Sequence, residues 1–385
     1  MAKIKLLKAS SFYQDYLDLF YLNKINDRDL TFSELNTSLF DDGFAWSNSI
    51  KKYLEKQGSF EVAEFVINDR IQQKKWLEER NLLIKNPNDW ILKTLELQIY
   101  EFKPDVLFAH DYSYINPSFI DKIKKNCPSI RLVVGYDGVA FNDLNLFGSH
   151  DLILSCLDFT CSYYASKGKK AYFMPYGFDA EVLKKVGPVN KQFDISFVGS
   201  LNMMSGGHHT RMKLLNAVAK KYKPSYFISG STLVDYKFYQ WPQRKRILNG
   251  SFSEALIVNR IGGFNLGPRY GLSMFEVMQD SKITLNSHID LAKNRAANIR
   301  LFEATGMGCC LLSDWKENIS DYFKPDEEII AYKSTAECLE KIKFLLNNNE
   351  IRNKIALAGQ KRTLKDHSME LRVKDLGDFL MKNHI

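Results

Sequence analysis

The chain has 385 residues, 45% of them hydrophobic and 25% charged, with 53 lysines and arginines against 45 aspartates and glutamates for a formal charge of +8. That length accommodates about two domains, each able to bury its own core, and the apolar and charged fractions exclude a fibrous or largely disordered chain. The positive excess suits nucleic acid, an anionic membrane face or an anionic substrate, and by itself it selects none of them.

The first half alternates short apolar runs with helical stretches, the pattern of a parallel sheet covered by helices. Ile4 to Ala9 reads as a strand, Trp46 to Gln57 as a helix stopped by Gly58, and Phe60 to Ile67 as a second strand. A helix over Asp89 to Phe102 leads into the buried run Val106-Leu107-Phe108-Ala109, which ends on His110-Asp111. Pro117 to Lys125 reads as a helix and Arg131 to Tyr136 as a strand running into Asp137-Gly138, with further strands at Asp151 to Cys156 and Ala171 to Met174. Ligands of open α/β sheets gather at the carboxyl ends of strands, so His110, Asp111, Asp137 and Gly138 are expected to share one crevice. The charged stretch Glu181 to Lys191 reads as a linker, giving domains at 1–185 and 186–365. The second half repeats the alternation: strand Phe193 to Ser200, helix Thr210 to Tyr222, strand Tyr226 to Ser229, helix Tyr270 to Asp280 and strand Lys282 to Asn286. A final helix, Leu371 to Met381 within 366–385, is expected to pack back across the domain junction.

The densest chemical pattern is Asn298-Ile299-Arg300-Leu301-Phe302-Glu303-Ala304-Thr305-Gly306-Met307-Gly308, followed by the apolar run Cys309 to Leu312. Asn298 can cap a helix whose first amides face an anion, Arg300 adds a positive fork, and Gly306 and Gly308 stop the helix before the strand. Glu303 shares a face with Arg300, where its carboxylate can accept two ribose hydroxyls, and its apolar neighbours make it costly to bury without partners. The competing reading for Glu303 is a salt bridge to Arg300 or Arg295.

This pattern, N-x-R-x-F-E-x-x-G-x-G before a strand, resembles the donor-binding segment of GT-B glycosyltransferases, and within them the spore-maturation-type branch. Supporting phrases are Phe197-Val198-Gly199-Ser200, Tyr270-Gly271, Leu285-Asn286, Ile329 to Tyr332, Ala358-Gly359 with His367, and the interdomain phrase Pro175-Tyr176-Gly177-Phe178-Asp179. The likeness covers about residues 193 to 380. It departs from the two-glutamate signature of the large retaining family, because Arg295 stands where that signature has its first glutamate. The resemblance implies an α/β GT-B fold, with two Rossmann-like doubly wound domains facing across a cleft. It also implies a nucleotide-diphosphate-sugar donor on the second domain and a glycan or lipid-linked acceptor on the first. The role suggested is in bacterial surface polysaccharide or glycoconjugate synthesis.

In such an enzyme the leaving diphosphate gains negative charge, which fixed donors and arginines can stabilise. The donor-binding candidates are Gly199, Ser200, Arg211, Asn286, Asn298, Arg300, Glu303 and Gly306. Against these stand a plain turn for Gly199 and a solvated helix face for Arg211. His110, in D-V-x-x-A-H-D, resembles the strand-end histidine of retaining GT-B enzymes, which favours retention and makes His110 a catalytic candidate; a satisfied strand-end histidine is its alternative. Asp137 is the second catalytic candidate, able to activate an acceptor hydroxyl or orient a sugar, or else simply to close an Asp-Gly turn. His208-His209 lack carboxylate or cysteine partners for a metal, and the Met203 to His209 loop is expected to order over the donor phosphates. No cofactor and no metal is expected, since GT-B folds use such groups in place of an ion and no D-x-D motif is evident. The six cysteines (Cys127, Cys156, Cys161, Cys309, Cys310 and Cys338) lack paired C-x-x-C spacing and read as reduced thiols.

No apolar run of about 18 residues exists and Met1 to Leu7 is too short for a signal peptide, so a cytoplasmic location is expected, with peripheral contact to the inner membrane face as a secondary partner. The absence of RNA-binding, zinc-finger or helix-turn-helix patterns argues against nucleic acid. Two other functions remain open: a nucleotide-sugar epimerase on the same fold, which would turn over without an acceptor, and a polyanion-binding protein, which would bind in a salt-sensitive way and ignore nucleotides.

Overall fold

The computed structural model describes residues 2–24, 30–86, 88–201, 207–230 and 252–382. The chain forms two compact units, Met1–Pro175 together with Glu370–Ile385, and Tyr176–Met369. The change of unit falls at Pro175–Tyr176. The charged stretch read as a linker lies inside the second unit, where Asp179 caps a 3-10 turn over Ala180–Lys184 and the Lys191 ammonium donates to the carbonyls of Gln279 (2.8 Å) and Ser281 (3.0 Å).

The first unit is a six-stranded parallel sheet in the order β2-β1-β3-β4-β5-β6, with β1 Ile4–Ser10, β2 Phe60–Val66, β3 Val106–Ala109, β4 Leu132–Tyr136, β5 Leu152–Ser155 and β6 Lys170–Phe173. Leu7 pairs in register with Ala63 on one side and Leu107 on the other. Strands of such a sheet are covered on both faces, which is why the central runs are apolar without alternation. Leu7, Ala9, Leu107 and Val133 pack with Leu95 and Ile99 of the helix Trp90–Phe102 and with Phe119, Ile120 and Ile123 of the helix Pro117–Asn126. The latter starts where sequence chemistry directs it: Pro117 opens the helix, and the Asn116 side chain accepts from the Phe119 amide at 2.9 Å. The final helix, Met369–Lys382, belongs to this unit through residue 370 onward, with Phe379 against Tyr172 at 4.4 Å between ring centroids and Glu370 paired with Lys56.

The second unit is a five-stranded parallel sheet in the order β11-β10-β9-β7-β8, with β7 Phe193–Ser200, β8 Ser225–Ser229, β9 Ser281–Asn286, β10 Cys310–Asp314 and β11 Ile330–Tyr332. Its two faces carry separate cores, and the strands divide between them at period two. Ile195, Phe197, Ile283, Leu285, Cys310 and Leu312 face one core with the helices His209–Lys221 and Thr335–Asn347. Val198, Cys309 and Leu311 face the other with Gly271–Gln279 and Arg300–Gly306. A break at Asn348 separates the helices Thr335–Asn347 and Asn349–Asp366.

One packing constraint in this unit is testable. A methyl group added at Gly359 would overlap the carbonyl oxygen of Glu328 and touch Thr305 at 3.4 Å. Backbone cannot swing aside as a flexible side chain can, so Gly359→Ala is expected to destabilise the second unit by about 1–3 kcal/mol. A urea midpoint equal to that of the parent would contradict this.

Candidate functional site

The carboxyl ends of β7 and β9 meet around one guanidinium. Arg211 lies in the first turn of the helix His209–Lys221 and is 6% exposed. Its Nη1 donates to the Ser200 carbonyl at 2.7 Å, Nη2 and Nε donate to the Ser287 carbonyl at 2.6 and 3.2 Å, and its face lies over the Phe197 ring. Among the described residues no carboxylate reaches Arg211 at ion-pair distance. Burial lowers its pKa to about 10, Asp314 opposing that fall and Arg300 adding to it, so it stays cationic at neutral pH. A buried cation held by carbonyls and His208, with no carboxylate in direct contact, suits an incoming anion. The solvated-face reading of Arg211 is corrected, because residues 76 positions away close over it. Gly199 precedes Ser200 with the Phe197 ring 3.0 Å from where a β-carbon would stand.

The helix Arg300–Gly306 supplies the second cation. Arg300 Nη1 pairs with the Glu303 carboxylate while its Nε donates to the Val198 carbonyl at 3.2 Å, so the guanidinium also reaches β7. Glu303 is buried, and burial raises its pKa although Arg300 pulls it down. In this state Glu303 thus holds the salt bridge that competed with its ribose-binding role. Asn298 lies one position before the N-cap, Ile299, and its Oδ1 accepts from the Leu301 amide at 3.3 Å. Its Nδ2 donates to Asn286 Oδ1 at 2.7 Å, and Asn286 Nδ2 donates to Ser313 Oγ at 2.9 Å, which ties the helix start to the ends of β9 and β10. Gly306 is buried under the Phe178 ring, which leaves no room for a β-carbon. It packs closely in the core of this unit.

Sequence reasoning missed the acids and histidine around this cluster. His288 Nδ1 lies 2.7 Å from Asp314 Oδ1, the His288 amide donates to the same oxygen at 3.0 Å, and Lys316 approaches Asp314 Oδ2 at 3.2 Å. Burial opposes ionisation of Asp314, yet His288 and Lys316 overcome it and hold its pKa down to about 2. Asp290 Oδ2 accepts from the His209 amide at 3.0 Å at the start of the Arg211 helix, and its own amide donates to the Gly207 carbonyl. The available signal was the one that marked His110: a polar residue directly after a buried strand. His208 Nε2 lies 3.1 Å from Arg211 Nη1; of the Met203 to His209 loop, Met203 to Gly206 lie outside the described residues.

In the first unit His110 follows β3 with Nδ1 at 3.3 Å from Ser10 Oγ, its ring stacked on Trp46 at 4.8 Å. Burial and the Lys8 ammonium lower its pKa to about 3, so the imidazole is neutral at physiological pH. Asp137 is fully buried, and its carboxylate accepts from the amides of Val139 (3.3 Å), Phe141 (3.1 Å) and Asn142 (3.1 Å) and from the Tyr164 hydroxyl (3.0 Å). That geometry makes Asp137 the organiser of the loop after β4, in line with the turn reading, and leaves no lone pair directed at a substrate. Among the described residues, no three His, Cys, Asp or Glu side chains are grouped to hold a metal ion, and no helix is long and apolar enough to cross a membrane.

A family model described as glycosyl transferase-like matches residues 211–378, which begins at Arg211 and contains the Asn298 to Gly306 cluster. No curated protein matches the chain. Among solved structures, the chain is similar to HepE from Anabaena in complex with UDP-glucose (12% identity, 98% of this chain and 100% of that one, TM-score 0.59). It is also similar to sucrose-phosphate synthase from Thermosynechococcus elongatus (8%, 99% and 99%, TM-score 0.58). A third likeness is to UDP-GlcNAc 2-epimerase from Neisseria meningitidis bound to UDP-GlcNAc (12%, 98% and 100%, TM-score 0.52). At these identities the likeness fixes the fold: two Rossmann-like α/β units of the GT-B class.

The charge cluster at β10 yields a pH-dependent prediction. The folded-state pKa of Asp314, about 2, lies below that of a free aspartate, so its ionised form adds stability that is present above about pH 4 and is lost as the pH falls toward 2. Asp314→Asn should therefore be less stable than the parent by roughly 1–3 kcal/mol near neutrality, the gap narrowing below about pH 4. A gap that stays constant in urea titrations across that range would contradict the ion-pair account.

Proposed function

We propose that this chain is a glycosyltransferase that takes a sugar from a nucleoside-diphosphate donor held by the second unit and passes it to an acceptor bound by the first. The observation that carries this reading is the buried Arg211 guanidinium, in direct contact with no described carboxylate, at the strand ends where Arg300 and Glu303 also converge. The glycosyl transferase-like match over 211–378 and the UDP-glucose complex of a structurally similar protein support it.

In this reading the bond from the anomeric carbon to the diphosphate oxygen breaks and charge collects on the departing phosphate, while the acceptor oxygen forms the new bond and passes its proton to that phosphate oxygen. Arg211 and Arg300 stabilise that charge in place of a metal ion, and their fixed positions require little reorganisation as it develops. When diphosphate draws Arg300 away, Glu303 is left to accept the ribose hydroxyls. Neutral His110 hydrogen-bonds a hydroxyl of the transferred sugar, and the reaction retains anomeric configuration. The acceptor is a glycan or lipid-linked glycan of surface polysaccharide or glycoconjugate synthesis, and the enzyme works in the cytoplasm beside the membrane. The second reading, an epimerase, draws on the fold likeness to the Neisseria enzyme and would isomerise the donor sugar with no acceptor.

Titration calorimetry with UDP, GDP, CDP and dTDP tests the reading. One of them should bind the parent, and Arg300→Ala should weaken that binding by about 1–3 kcal/mol in a variant that melts like the parent. Absence of binding by all four, or an Arg300→Ala variant with parental affinity, would remove the donor site; conversion of a UDP-sugar to its epimer would select the second reading. Because His110 is neutral throughout the working range, turnover should show no acidic limb attributable to it between about pH 5 and 8. A limb near pH 6.5 that disappears in His110→Asn would show instead that His110 titrates during catalysis.

A further inference from the structure

The first unit carries two loops whose backbones are fixed from within while their tips present aromatic rings to solvent. In the loop after β4, the buried Asp137 carboxylate binds the amides of Val139, Phe141 and Asn142. Ala140 and Asn142, on either side of Phe141, both hold left-handed backbone, with φ of 60° and 51°. Non-glycine residues in that region are strained, and such strain persists only where surrounding structure enforces it. The product of this arrangement is Phe141 standing 44% exposed, with its ring 4.9 Å from that of Tyr112 at an interplanar angle of 67°. Tyr112 sits on the loop after β3, which a second buried carboxylate secures: Asp111 accepts the Ser11 hydroxyl and the Tyr114 amide, the latter at 2.6 Å. Tyr112 and Tyr114 are 38% and 39% exposed.

Two buried acids and two strained residues thus serve to hold apolar rings in water, the opposite of what hydrophobic burial alone would select. Rigid, preoriented rings lose little entropy when a ligand covers them, and tyrosine adds a hydroxyl handle. The charge around them narrows the ligand. The segments 10–18, 110–116 and 138–146 contain no lysine or arginine although the chain has 53, and they contain Asp15, Asp18, Asp111 and Asp143. These segments themselves offer an anionic membrane or a phosphorylated group no cation, and Lys93 and Lys122, which line the pocket beside Tyr114, are paired with Glu96. The carbon-bound hydrogens on one face of a pyranose ring match the negative face of an aromatic ring, while its hydroxyls match tyrosine and aspartate.

We propose that Tyr112 and Phe141 form a stacking platform for a neutral saccharide, which, resting on the transferase reading above, is the acceptor. Asp111 and Asp137 are its positioning residues.

Saturation-transfer NMR with maltotetraose, chitotetraose and xylotetraose tests this, with phosphatidylglycerol vesicles as the lipid arm and nucleotide affinity measured on the same proteins. The parent should bind at least one oligosaccharide and not the vesicles. Tyr112→Ala and Phe141→Ala should each weaken saccharide binding by roughly tenfold, while Tyr112→Phe keeps it within about threefold. Nucleotide affinity should be the same in all of them. No saccharide binding, equal binding by the alanine variants, or vesicle binding lost in those variants would overturn the platform. Saccharide binding with the expected losses but no nucleotide binding by any form would leave the platform standing and remove the transferase reading instead. Both substituted rings are at exposed loop tips, and matching thermal melts establish that the variants are folded.

Discussion

A guanidinium buried among carbonyl oxygens and a histidine has its hydrogen bonds satisfied while no carboxylate touches its charge. Arg211 in that position joins the end of β7, through Ser200, to the end of β9, through Ser287. Removing a cation from water without an acid beside it is unfavourable, and the lowered pKa of Arg211 registers that penalty. An anion arriving at these strand ends would restore the balance, so the second unit has a built-in preference for negative ligands at the place where parallel α/β sheets bind them.

The neighbouring groups make sense around that centre. Glu303 and Arg300 neutralise each other, and Arg300 also reaches β7 through the Val198 carbonyl. The chain of amides and hydroxyl from Asn298 through Asn286 to Ser313 fixes where the helix Arg300–Gly306 begins. Beyond it, Asp314 is held by His288 and Lys316, and its charge acts on Arg211 without direct contact. The first unit uses carboxylates differently. Asp111 and Asp137 spend their lone pairs on loop amides and hydroxyls, which converts acids at strand ends into supports for the aromatic tips they carry.

Much of the architecture was legible because parallel strands are covered on both faces and therefore read as apolar runs such as Val106 to Ala109 and Cys309 to Leu312. Boundaries failed where backbone geometry, rather than residue type, decides them. The helix expected from Trp46 begins at Ser49, because Ala45 and Ser47 take left-handed backbone that no glycine announced. The stretch Glu181 to Lys191 looked like a solvated linker because its charges were counted without knowing that Lys191 is drawn onto two carbonyls. At the site, the pairing of Arg300 with Glu303 could be read from their spacing along a helix. The burial of Arg211 could not, since Ser287 lies far away in sequence. Asp137 shows the same limit in reverse: its position at a strand end was legible, but the four donors that consume its carboxylate come from loop geometry and from Tyr164.

The buried Arg211 guanidinium and the Arg300–Glu303 pair are, on the proposed reading, the two halves of a nucleoside-diphosphate site. A crystal structure of the chain soaked with UDP tests it most directly. The account predicts the diphosphate within hydrogen-bond distance of both guanidinium groups, Arg300 released from Glu303, and the ribose hydroxyls on the Glu303 carboxylate. UDP bound elsewhere, with the Arg300–Glu303 pair intact and Arg211 still bonded to the Ser200 and Ser287 carbonyls without phosphate contact, would contradict it.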